Sequence, residues 1–111
     1  MYSKIETFNK VKKHLLNQKE RAMNSHGACS YFNDSGLKCA VGCLIPESLY
    51  ESTIEGICIE DIIKNTDHFK CNKELEKHDI ELLKELQYIH DETPIEIWDY
   101  HLMILEEKIA T

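Results

Sequence analysis

Four residues whose types suit metal or thiol chemistry lie close together in the chain: His26, Cys29, Cys39 and Cys43. Their pattern is His-x2-Cys-x9-Cys-x3-Cys. Tetrahedral zinc takes four nitrogen or sulfur ligands, commonly as two close pairs on a short turn. A hairpin between Cys29 and Cys39 is a suitable frame, because it returns the second thiol toward the first. Neither pair has the plain C-x2-C spacing of a finger or ribbon, however. Cys43 also sits in the apolar run Ala40-Val41-Gly42-Cys43-Leu44-Ile45, and free cysteine behaves as a small, buried hydrophobe. The sequence predicts no cofactor and core or half-buried thiols. A structural zinc on His26, Cys29, Cys39 and Cys43 is the alternative.

A nucleophilic thiol is a second chemistry. A helix beginning after Cys39 lowers the pKa of that thiol, and His90 with Asp91 offers a base and its carboxylate partner. Adjacent His and Asp residues at a helix end do not automatically point at each other, so the balance favours a non-enzymatic protein. Ligand capture is a third possibility. Tyr31, Lys38, Cys39, the Gly42 backbone, His90 and Asp91 form the candidate pocket. Neither G-x-G-x-x-G nor G-x4-G-K-S/T occurs, and Arg21 is the sole arginine, so phosphate-loop recognition is not indicated. Cys58 and Cys71 show no partner pattern and read as incidental. His14 and His68 read as surface groups, and His78 and His101 as neighbours of apolar stripes.

These residues need elements to position them. At 111 residues the chain is one domain, residues 1–111. All four glycines and one of the two prolines fall between residues 27 and 56, so irregular structure concentrates there. Ser3 and Glu6 form a capping box ahead of the stripe Ile5, Phe8, Val11, Leu15, which predicts an N-terminal helix ending in the turn at Asn24-Ser25-His26-Gly27. Ser30-Tyr31-Phe32 and Leu37–Val41 flank Asn33-Asp34-Ser35-Gly36, which predicts a small β-hairpin. Ala40–Ile45 admits a short buried helix instead. Pro46–Tyr50 and Ile59–Ile63 predict short central helices, the second with Cys58 near its N-cap. A helix from Asn72 to about His90, a short connection, and a helix opened by Thr93 as N-cap with Pro94 and Glu96 predict an antiparallel helix hairpin. The fold expected is α+β, mainly α. Its core is expected to draw on Phe8, Val11, Leu15, Val41, Leu44, Ile45, Ile62, Leu82, Leu86, Ile89, Trp98, Leu102 and Leu105.

Composition excludes several classes. Hydrophobic residues at 42% argue against disorder. No apolar run approaches the roughly 20 residues of a membrane helix, and no signal core follows Met1, so a cytoplasmic protein is expected. Five cysteines, an odd number, then read as free thiols in a reducing compartment. A net charge of −7 argues against direct nucleic-acid binding. The charge is divided: residues 1–56 carry net +1 and residues 57–111 net −8. The acidic half is either a solvated face or a surface for a basic partner.

Ala28-Cys29-Ser30-Tyr31, then Gly36-Leu37-Lys38-Cys39-Ala40-Val41-Gly42-Cys43-Leu44-Ile45-Pro46-Glu47 with Tyr50, then Glu55-Gly56 form an extended pattern. It resembles a group of small proteins of tailed bacteriophages and prophages that share Cys-x-Tyr, a glycine turn and Cys-Ala-Val/Ile-Gly-x-Leu-Ile-Pro. Leu86-Gln87-Tyr88-Ile89-His90-Asp91, Pro94 and Trp98 are similar to that group as well. The chain departs from the pattern at Cys58, where a capping serine is usual. The resemblance implies a setting, the bacterial host cytoplasm, where small accessory products commonly bind a host protein or counter a defence. The function expected is non-enzymatic binding and inhibition of a host factor. A sponge for a nucleotide defence signal is the first alternative, and a cysteine-dependent enzyme or small zinc protein the second.

Overall fold

The first helix, α1, spans Lys4–Gln18. Its start follows the capping chemistry: the Ser3 hydroxyl accepts the Glu6 amide at 3.2 Å. Its buried face is Thr7, Phe8, Val11 and Leu15, while Ile5 is exposed. The helix ends earlier than the expected turn. Lys19 adopts φ 53° and returns its N–H to the Leu15 carbonyl, a left-handed cap. Asn24 instead closes a separate loop, its side-chain oxygen accepting the His26 and Ala28 amides.

The computed structural model describes residues 1–65 and 68–110. After α1 come α2 (Ile59–Lys64), α3 (Asn72–Leu75), α4 (Ile80–Glu92) and α5 (Trp98–Ala110). Single 3-10 turns occur at Gly42–Leu44, Glu47–Leu49, Ser52–Ile54 and Ile95–Ile97. α1 packs on α5 and α4, which pack on each other, and α2 packs on α3 and α4. The rings of His90 and Trp98 lie 5.6 Å apart and Lys108 meets Glu85 at 3.0 Å, so α4 and α5 run antiparallel. All thirteen residues expected in the core are buried, joined by Ala22, Cys39, Ala40, Ile54, Ile59, Cys71, Leu75 and Leu83.

The expected α+β class is corrected to all-α. Among the described residues there is no sheet. Two isolated antiparallel bridges, Met23 to Cys29 and Phe32 to Lys38, are all the strand pairing shown. The turn expected around Gly36 exists, with Gly36 at φ 85°, but no ladder grows from it. Side chains occupy the groups a ladder needs. Glu55 accepts the Tyr31 and Phe32 amides at 2.9 and 3.1 Å. Gln18 accepts the Lys38 amide, and the Lys38 carbonyl accepts from His14 and Gln18. A two-residue ladder captured in this way stays a loop.

The helix expected from Asn72 to His90 is two helices. Asp79 caps α4, accepting the Leu82 amide at 2.9 Å, while Asn72 is buried inside α3 rather than capping it. Tertiary bonds hold the break open: the Lys77 carbonyl accepts the Tyr2 amide at 2.9 Å and His78 Nδ1 meets Thr7 Oγ1 at 2.6 Å. Thr93 does not cap α5 either. It ends α4, and Pro94 leads the 3-10 turn that runs into α5.

Candidate functional site

Helix α4 carries Gln87, His90 and Asp91 within its last two turns. Gln87 and Asp91 are four residues apart and therefore neighbours on one face. Gln87 Nε2 donates to Asp91 Oδ1 at 2.9 Å, and His90 Nδ1 lies 2.6 Å from the same oxygen. The Ala22 amide donates to His90 Nε2 at 3.0 Å. An amide can only donate, so Nε2 accepts and the ring proton sits on Nδ1, directed at Asp91. The adjacent His and Asp do point at each other, and the imidazole is 0% exposed.

Cys29 completes the cluster. Its thiol bonds to Asp91, and burial followed by the Asp91 charge raises its pKa to about 11. Burial pushes the Asp91 carboxyl up, but the bonds from His90 and Gln87 outweigh that and hold it below its ordinary value. Asp91 is thus an ionised carboxylate surrounded by donors. Gln87 extends the network across the core, because its Oε1 accepts the Val41 amide at 3.0 Å.

A cleft of about 470 Å³ opens over this cluster, lined by Cys29, Tyr31, Cys58, Lys84, Tyr88 and Asp91 among others. Ligand sites commonly fall in the range of about 300–1,000 Å³. The Tyr31 hydroxyl donates to the Ile57 carbonyl at 2.5 Å, which fixes that ring as a wall. Lys84 is held by Glu60 at 3.2 Å and Glu81 at 3.6 Å.

Of the candidate pocket residues, the structure brings Tyr31 and Asp91 to this cleft, with His90 behind Asp91. Lys38 lies elsewhere, 3.7 Å from Glu47 and over the Phe32 ring at 5.3 Å. Cys39 is fully buried, its sulfur accepting the Gly42 amide at 3.2 Å, and burial drives its thiol pKa far up. That environment is opposite to the one a nucleophilic thiolate requires. Gly42 lies against the Tyr31 carbonyl, where an added Cβ falls 1.9 Å from the oxygen.

The zinc set is not assembled. His26 sits in an exposed loop. The Cys43 thiol donates to the Ala40 carbonyl at 3.0 Å, with burial raising its pKa to about 12. Among the described residues, one trio of potential ligand atoms lies within 4.8 Å of one another: Cys29, His90 and Asp91. Its chemistry does not fit a metal. Coordination at Nδ1 requires the proton to move to Nε2, where it meets the Ala22 N–H head on.

Sequence reasoning missed Cys58, Lys84, Gln87 and Tyr88 as cleft residues. Gln87 carried a signal, an amide four residues before Asp91 beside the apolar stripe. Cys58 carried none, since only the loop returning at Gly56 brings it to the cleft.

The second surface of note is on α5. Trp98, Leu102 and Leu105 face the core, while Tyr100, Met103 and Ile104 are 54%, 50% and 44% exposed. Their spacing of three and four places them on one outer stripe. Tyr88 of α4 borders it, sharing a groove with His101 and Ile104. Between Lys84 and Lys108 there are seven carboxylates and no lysine or arginine. No helix among the described residues is long and apolar enough to cross a membrane. Comparison with family models, curated proteins and solved structures finds no match.

Proposed function

We propose that this chain is a non-enzymatic protein that binds and inhibits a basic host factor through the outer face of α4 and α5. The sequence resemblance supports a phage setting and, with it, an encounter in the bacterial host cytoplasm. The observation that carries the reading is the exposed stripe Tyr88, Tyr100, Met103 and Ile104. It lies in a stretch of chain with seven carboxylates and no lysine or arginine between Lys84 and Lys108, Lys108 itself standing at the edge of the groove. Exposed aromatic and methionine side chains are typical anchors of protein interfaces. The acidic frame selects a basic amphipathic segment and speeds its approach. The raised thiol pKa values of Cys29 and Cys39 support binding over thiolate catalysis. Nucleotide capture has less support, because the cleft presents Asp91, Glu60 and Glu92 to an anionic ligand.

The test is capture from bacterial host lysate with the wild-type chain and with Met103→Glu/Ile104→Glu. The expected result is a basic protein retained by the wild type, lost with the double variant, and released as salt rises. Equal capture by both chains, or a partner without a basic segment, overturns the reading.

A further inference from the structure

We propose that the cleft over Asp91 binds an organic cation, a guanidinium or primary ammonium on a short apolar arm. The carboxylate is already organised for it. His90 and Gln87 both donate to Asp91 Oδ1, and neither occupies Oδ2. The remaining donor is the Cys29 thiol, a weak one that a charged N–H group outcompetes. Because Asp91 is locked by its neighbours, a ligand does not have to order it.

The walls suit the arm of such a ligand. Ile57 and Ile59 line the cleft along with Tyr31 and Tyr88, and a cation beside a tyrosine face gains further from the ring. The charges around the cleft leave room for one more cation. Lys84 is matched by Glu60 and Glu81. Arg21 donates its guanidinium to the His90 and Thr93 carbonyls, and it lines the neighbouring groove beside Asp91 and Glu92 rather than this cleft. Among the described residues, no lysine or arginine makes an ion pair with Asp91 or Glu92, although Arg21 stands beside both in the neighbouring groove. Two sources share this chemistry, a free amine metabolite and an arginine side chain of a bound protein. Tyr88 borders both the cleft and the α5 stripe, so an arginine of the proposed partner reaches Asp91 without leaving the interface. The cleft does not depend on that partner.

The experiment is a chemical-shift titration of the whole chain with ethylguanidinium, ethylammonium and the neutral isostere N-ethylurea. The cations are expected to shift the Tyr31, Gln87, Tyr88 and Asp91 signals together, and N-ethylurea is not. Asp91→Asn should weaken the cations about tenfold. Tyr88→Ala, at a position 64% exposed, should weaken them about threefold without touching the core. Nα-acetylarginine amide and agmatine separate the sources: tighter binding of the first points to a protein side chain, and of the second to a free amine. Equal binding of N-ethylurea, affinity unchanged in Asp91→Asn or in Tyr88→Ala, or shifts scattered over the acidic surface overturns the proposal. Failure here leaves docking on α5 standing, since Met103 and Ile104 do not line this cleft.

Discussion

The loops from Ala22 to Ile45 and the pair α4–α5 use their side chains in opposite ways. In the loops, side chains serve the backbone. Glu55, Gln18, His14, Asn24 and Asn33 all bond to main-chain groups there, and Cys39 and Cys43 turn their sulfurs to local backbone atoms. In α4 and α5 most backbone groups are satisfied within the helices, and Tyr88, Tyr100, Met103 and Ile104 stand exposed on the outside. The consequence runs against intuition. The segment densest in reactive residue types is mostly scaffold, and the segment with ordinary types holds the surface proposed for binding. The two meet at one place, where Cys29 from the loops and Asp91 from α4 line the same cleft.

The sharpest way to break this comparison is to disrupt the scaffold alone. Gly42→Ala places a methyl group 1.9 Å from the Tyr31 carbonyl oxygen, a backbone contact with no flexible partner to yield. The expected loss is about 3 kcal/mol or more in urea denaturation, at the top of the usual overpacking range. A variant as stable as the wild type shows that the loops are not the rigid scaffold described.

The next largest effect falls on the tie between the two regions. Arg21 donates to the carbonyls of His90 and Thr93 at the end of α4. These are charge-assisted bonds to groups that the helix itself leaves unpaired. Arg21→Met should cost about 2–3 kcal/mol, read by denaturation, with far-ultraviolet helicity retained. A loss below about 0.5 kcal/mol makes the tie dispensable.

These contacts also show what the sequence disclosed. Every expected core residue is buried because apolar periodicity on helices reports directly on the inner face. The β-hairpin was misread because its turn chemistry is real but its ladder groups are taken by Gln18 and Glu55, residues distant in sequence. Asn72 and Asp79 are both good caps, and only the tertiary contacts of Tyr2 and Thr7 choose between them. Of the candidate pocket residues, Tyr31 and Asp91 line the cleft and Lys38, Cys39, Gly42 and His90 do not, whereas Cys58 and Lys84 reach it only through the fold.

A smaller effect comes from pH. His14 Nε2 donates to the Lys38 carbonyl at 2.8 Å, and burial lowers its pKa below the ordinary 6.5. The folded chain therefore binds its proton less readily than the unfolded chain. Stability is unaffected above about pH 6.5, falls as pH drops through that value, and levels off below the folded pKa. His78, also lowered chiefly by burial, adds a parallel loss. In His14→Gln the slope between pH 7 and 5 should be shallower than in the wild type. An unchanged slope removes His14 as a contributor and leaves the pH response to His78.

The smallest expected effects, at Met103 and Ile104 and set against a costly core control at Leu102, most sharpen the contrast. Leu102 and Ile104 are two residues apart on α5, one 0% and the other 44% exposed. Leu102→Ala should cost about 2–5 kcal/mol by leaving a cavity against α1 and α4. Ile104→Ser and Met103→Ser should each change stability by no more than about 0.5 kcal/mol. If the outer pair proves as costly as Leu102, those side chains hold the fold together and the stripe has no surplus for a partner. Near-neutral values mean that the fold gains nothing from keeping bulky apolar groups in water at these positions. Their side chains then remain available to the proposed partner without cost to the fold.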